Sequence, residues 1–275
     1  PMFIYIKEEL AQYKNKQLIS FTKAIMGSYV IVIEVENTEE VFSIFERTNA
    51  RGLDLKIGDL LKNYIFSQGV EQYETKWEEI ISNAETSLQR MLKYFWVSRK
   101  GYIQQSQLYR NLRTYANTQG INEFMKELHS FSKFYKNVQT LYHEEVKNWL
   151  HEEGFEELSK NEDRYKRVTR VFQSLKLFRV TQPYPLIFSI FQFYKNKGGK
   201  DYNLLLAAIE VIEKYHFVNN VISQKIGNEV EKFYSEKSKE FYNCKENFKE
   251  TIKNLTDSLK KKKVLKEEFI SNFVE

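Results

Sequence analysis

The chain is nearly free of the residues that end helices: only three prolines and ten glycines interrupt 275 residues. Four of those glycines, Gly27, Gly52, Gly58 and Gly69, fall in the first quarter. Inside a helix glycine and proline cost about 1 and 3 kcal/mol relative to alanine, so the sequence after position 69 is open to long helices. With 42% hydrophobic and 15% aromatic residues the chain is globular, and its length suits one or two domains. Apolar periodicity predicts helices near 71–98, 104–118, 121–150, 162–178, 185–196 and 201–224, and from 228 onward with a break near Lys260–Lys263. Breaks are expected at Gly101, Gly120, Gly154, Pro183 with Pro185, Gly198-Gly199 and Gly227. Pro185 suits a first helical position.

The first 69 residues read differently. Tyr29 to Val35, Y-V-I-V-I-E-V, is the one convincing strand, mostly β-branched and following Gly27-Ser28. A strand does not satisfy its backbone groups alone. Either its partners lie outside these residues or it pairs with something short and irregular. The expected fold is therefore mainly α, with a helical domain over 70–275 preceded by a small α/β remnant over 1–69.

Within that remnant, Asn37 and Glu40 provide an N-cap and a third-position carboxylate, and Val41, Ile44, Phe45 and Thr48 continue at helical spacing. Gly52 lets the chain turn after Arg51. Ile57, Leu60, Leu61, Tyr64 and Ile65 then lay down a second apolar stripe. The loop between the two helices carries Asn49, Arg51 and Gly52. Arginine offers a fork of donors and a glycine turn can present backbone amides, which together suit a phosphate. The other reading is that Asn49 and Gly52 simply close a helix-turn-helix while Arg51 meets a carboxylate such as Asp54.

This segment resembles a motif of the N-terminal-domain family of GmrSD-type restriction enzymes, F-E-x-x-N-x-R-G-x-x-L followed by D-L-x-K. Phe45, Glu46, Asn49, Arg51, Gly52, Leu55, Asp59, Leu60 and Lys62 match it position by position. Lys56 departs from it, standing where family members usually carry a small hydroxyl residue suited to capping the second helix. The resemblance implies a place in a phage-defence protein that uses a nucleoside triphosphate with magnesium, and a nucleotide-binding role for Asn49, Arg51 and Gly52. It also implies chemistry located elsewhere. The family's ParB-like half bears a D-G-Q-Q-R motif, which does not occur here, and its second half commonly holds an HNH-type site. His129, His143, His151 and His216 sit in no such pattern. On this reading the chain is a truncated piece whose partners are the remaining halves of the parent protein. By itself it holds no catalytic residue and no cofactor.

Net charge is +5, from 42 basic against 37 acidic residues, mild enough that distribution is the better guide. Arg90, Lys93, Arg99, Lys100, Arg110 and Arg113 are interleaved with Tyr94, Phe95, Trp96, Tyr102 and Tyr109. Arg164, Arg167 and Arg170 recur at threes beside the stripe Tyr165, Val168, Phe172 and Leu175. Guanidinium groups among aromatics bind phosphate and stack on bases, so both groups are candidate DNA contacts, of a weak and sequence-independent kind. The alternative is that the cations are solvated faces and the aromatics are core. A purely interaction-making helical scaffold is thus the competing function.

Other chemistries find little support. His143-Glu144-Glu145 and His151-Glu152-Glu153 set two histidines eight apart rather than the four of an H-E-x-x-H zinc helix, so no metal site is expected. The single cysteine, Cys244, excludes a disulfide framework within the chain and fits a reducing cytoplasm. No run approaches the roughly 18 apolar residues of a membrane span, so no membrane partner is expected.

Overall fold

The computed structural model describes residues 2–29, 57–67, 70–84, 87–196, 201–223, 228–244, 248–262 and 269–272. The chain divides into two units, Pro1–Asp54 and Leu55–Glu275. The smaller contributes helices α1 (Met2–Ala11) and α2 (Asn15–Met26). The Gln17 side-chain Oε1 accepts from the amide of Lys14, the N-cap residue of α2, at 3.0 Å, occupying a donor that has no partner inside the helix. Apart from Tyr29, the expected strand lies outside the described residues, as does the first motif helix.

The larger unit is a multi-helical, mainly α fold, with no strand among the described residues. Its helices are α3 (Ile57–Phe66), α4 (Val70–Ala84), α5 (Leu88–Lys100), α6 (Gln105–Gln119), α7 (Ile121–Asn137) and α8 (His143–Glu152). There follow the single turn α9 (Glu156–Ser159), α10 (Glu162–Leu177), α11 (Tyr184–Asn196), α12 (Tyr202–His216), α13 (Asn228–Asn243) and α14 (Phe248–Lys261). A π-helical turn, Phe217–Ile222, continues α12. The second motif helix, α3, belongs to this larger unit. Its Leu61 and Ile65 are fully buried, as the stripe requires, and it packs on α4, α5 and α6.

The core is an aromatic file. Phe95 on α5 meets Phe131 on α7 at 5.8 Å between ring centroids, and Phe131 meets Phe188 on α11 at 4.8 Å. Phe188 touches Phe134, Phe134 touches Trp149 on α8, and Trp149 meets Phe191 at 5.3 Å. Edge-on aromatic pairs of this kind add about 0.5–1.5 kcal/mol each beyond the burial of their area. The file ties together helices far apart in sequence, with α11 set against α5 and α13.

The breaks at Gly101, Gly120 and Gly154 fall as expected, at φ 90°, 85° and 84°, values that residues with a side chain reach only at a cost, whereas Gly198-Gly199 and Gly227 lie outside the described residues. Two other breaks have no glycine or proline. The helix expected over 71–98 is split between α4 and α5, and the one over 121–150 is split at 138–142. In the second link, Thr140 accepts from the Tyr142 amide at 3.2 Å and bonds to Glu145. The Gln139 and Leu141 carbonyls accept from Lys176 and Gln173 of α10 at 2.6 and 2.7 Å. Side chains more than thirty residues away thus satisfy the backbone groups that the break exposes.

Candidate functional site

Asn49, Arg51 and Gly52 lie outside the described residues. Of the motif's second half, Asp59 and Lys62 are exposed on α3, and the Lys62 ammonium stands 5.2 Å from the Phe66 ring centroid.

The first basic group divides by face. Along α5, positions 90, 93 and 100 share one side at helical spacing whereas position 99 lies nearly opposite. Arg90 and Lys100 are accordingly exposed and Lys93 half-buried, but Arg99 is only 3% exposed. Its Nε donates to Glu127 at 3.1 Å and its Nη1 to the Ser98 hydroxyl at 2.7 Å and the Phe95 carbonyl at 3.2 Å. The guanidinium lies 4.0 Å from the Phe95 ring centroid. Arg99 is therefore a core residue and is withdrawn from the candidate contacts. Its position signals this, since it follows Met91 and Phe95 at intervals of eight and four along the buried stripe. On α6, Arg110 is exposed and Arg113 lies over the Tyr64 ring at 5.4 Å. Of the interleaved aromatics, Tyr94, Phe95 and Tyr109 are core and Tyr102 is 59% exposed.

The second group is engaged inside the protein. Arg167 makes a two-pronged contact with Glu210 of α12, Nε to Oε1 at 2.8 Å and Nη2 to Oε2 at 3.0 Å. Arg170 reaches Glu210 at 3.0 Å and Glu213 at 3.4 Å, and Arg164 stands 3.5 Å from Glu157. Burial works against ionisation of Glu210, but the bond from Arg167 and the charges of Arg167 and Arg170 outweigh it and lower its carboxyl. Arg167 and Arg170 hold α10 to α12, which removes them as free phosphate ligands and means that reversing their charges would disturb the packing of these helices. Arg167→Glu alone is expected to destabilise the unit by about 2 kcal/mol, because it sets two carboxylates together with Glu210 only 13% exposed. Urea unfolding reads this as a lower midpoint, and an unchanged midpoint would show that the pair contributes nothing.

A groove of about 640 Å³ opens where α5, α6 and α13 meet the turn after α10. Arg90, Lys93, Arg179, Gln105, Gln182 and Glu231 line it. Lys93 donates to Glu231 at 2.8 Å. Burial pushes the Tyr94 phenol up, opposed by its bond with Thr181, which at 2.8 Å ties α5 to that turn. Arg179 stands at φ 57° in a Schellman closure of α10, where Val180 donates to the Leu175 carbonyl and Arg179 to that of Lys176, both at 3.0 Å. Glycine usually fills this position, and a side chain there costs about 1 kcal/mol. Arg179 carries no signal in the sequence, since nothing local marks an arginine as left-handed.

A further polar cluster is buried at the end of α12. His216 is 1% exposed, with Nδ1 2.7 Å from Asn220 Oδ1 and Nε2 2.8 Å from the Tyr234 hydroxyl. The pattern assigns the proton to Nδ1, with the Tyr234 hydroxyl donating to Nε2. Among the described residues no group of three histidine, cysteine or carboxylate side chains is placed to hold a metal, and no helix is long and apolar enough to cross a membrane. No family model, curated protein or solved structure matches the chain.

Proposed function

We propose that the chain is the motif-bearing helical portion of a GmrSD-like restriction protein. In this reading it supplies part of a surface that holds nucleotide or DNA phosphate, while bond cleavage belongs to the other parts of that protein. The observation that carries the reading is the run Phe45, Glu46, Asn49, Arg51, Gly52, Leu55, Asp59, Leu60 and Lys62, spaced as in that family's motif. The exposed cations Arg90, Lys100 and Arg110 support it, because a surface that neutralises phosphate must leave its cations accessible. The intact protein would take a nucleoside triphosphate with magnesium and act in the cytoplasm.

A helical scaffold that joins the halves of such a protein without touching DNA is the second reading. The internal pairing of Arg167 and Arg170 favours it, since that pairing removes two cations from any contact surface.

The two readings separate on charge reversal. If the surface binds DNA, replacing Lys100 and Arg110 with glutamate lowers affinity for a labelled duplex by about tenfold or more, whatever its sequence, and reduces the salt dependence by about one phosphate per residue. Changing Lys166→Glu, on the exposed side of α10, leaves affinity nearly unaltered. Equal effects from both variants, or no binding by the unmodified chain, would favour the scaffold.

A further inference from the structure

The geometry points to the groove between α5, α6 and the turn after α10 as a binding site for a multiply charged phosphate. The ligand is either the di- or triphosphate of a nucleotide or successive phosphodiesters of a nucleic-acid strand. The inference rests on the phosphate-contacting reading above and narrows it to Arg90, Lys93 and Arg179, the last of which belongs to neither basic group of the sequence.

Charge comes first. Three cations face the groove against the single carboxylate of Glu231, so two positive charges remain in excess. Lys93 spends its charge on Glu231 at 2.8 Å. Among the described residues no carboxylate or hydrogen bond engages the guanidinium of Arg90 or Arg179. Two unengaged guanidinium groups in one concavity present flat forks of donors that match the edges of a phosphate.

The rest of the lining fits the same ligand. Gln89, Gln105 and Gln182 add amides that can donate to ester oxygens or meet the edge of a base, and Tyr94 is the one aromatic of the wall. An apolar ligand would find almost nothing to bury here. The Tyr94 hydroxyl bond to Thr181 fixes the turn that carries Arg179 to the helix that carries Arg90 and Lys93, so the cations are held in place before a ligand arrives. Such preorganisation lowers the cost of binding.

Arg179 supplies the independent observation. The left-handed position closing α10 would be filled more favourably by glycine, yet the chain carries an exposed arginine there, at the wall of the groove. Local strain kept at a position that contributes charge to a concave site is what a binding role would leave behind.

The test is the complete chain carrying Arg179→Gly, alone and with Arg90→Gln. Arg179→Gly should raise Tm by about 2–4 °C, as relief of the left-handed strain requires, while weakening phosphate binding about tenfold. The double variant should weaken it about a hundredfold. Calorimetric titration with GTP and anisotropy with a short labelled single strand serve as the two probes. Weakening confined to GTP assigns the groove to a nucleotide, and weakening confined to the strand assigns it to nucleic acid. Unchanged affinity for both probes overturns the groove. If the strand still binds but only the Lys100 and Arg110 reversal weakens it, the groove fails and the wider surface stands. If the unmodified chain binds neither probe, both fail.

Discussion

Arg99→Ala is expected to lower the stability of the larger unit by about 3–5 kcal/mol, a large share of the 5–15 kcal/mol typical of a folded domain. The side chain is 3% exposed and is held by Glu127, by the Ser98 hydroxyl and by the Phe95 carbonyl. It also lies between the rings of Phe95 and Phe188, at 4.0 and 5.2 Å from their centroids. Truncation removes the partner of the Glu127 carboxylate, which also accepts from Tyr115 at 2.8 Å. It further opens a void beside the aromatic file. Arg99→Met should be milder, because it fills most of the volume without bringing a charge into the core. Arg99→Lys should not rescue, since an ammonium neither stacks as a plane nor reaches several acceptors in fixed geometry. Denaturant midpoints measure all three. A loss below 1 kcal/mol for the alanine variant would mean that Arg99 is solvated after all.

The second large effect is a fall in stability on acidification, centred on His216. Burial holds its pKa down to about 4, opposed by the bond to Asn220, whereas an unfolded histidine titrates near pH 6.5. As pH falls, the unfolded chain therefore takes the proton first. The contribution of neutral His216 is fully present above about pH 6.5 and is lost progressively down to about pH 4, by about 3 kcal/mol in all. The cluster gives the imidazolium nowhere to go. Tyr234 is 1% exposed and donates to Nε2, and the same burial raises its own phenol well above the ordinary value. The π-helical turn Phe217–Ile222 brings Asn220 within reach of Nδ1. The difference in pH slope between the unmodified chain and His216→Gln isolates this contribution from the carboxylates. Equal slopes between pH 4 and 6.5 would contradict it.

The mainly helical fold was legible because it depends on local rules: apolar spacing, scarce proline and glycine, and glycines at 101, 120 and 154 where the chain must adopt positive φ. The stripe of α3 was legible for the same reason. What escaped depends on contacts distant in sequence. The break at 138–142 is stabilised by Gln173 and Lys176 of α10. Arg167 and Arg170 read as candidate phosphate contacts, or as a solvated face, until α12 places Glu210 and Glu213 against them. Arg99 was a different failure, since its place on the buried stripe could be counted, but a charged residue there reads as surface unless a partner is known. The groove assembles from α5, α6, α13 and a turn nearly ninety residues beyond Arg90, and no window along the chain contains it.

The central claim, that this protein presents accessible cations to phosphate, is tested most directly by the salt dependence of duplex binding by the unmodified chain. Arg90, Lys100, Arg110 and Arg179 are exposed, and each phosphate neutralised contributes a slope of about −0.9 in log affinity against log salt. Fluorescence anisotropy between about 50 and 200 mM salt should give a slope of about −3 to −4, a loss on the order of a hundredfold, with little difference between sequences. A duplex that fails to bind at the lowest salt, or one that binds with affinity insensitive to salt, would contradict the claim.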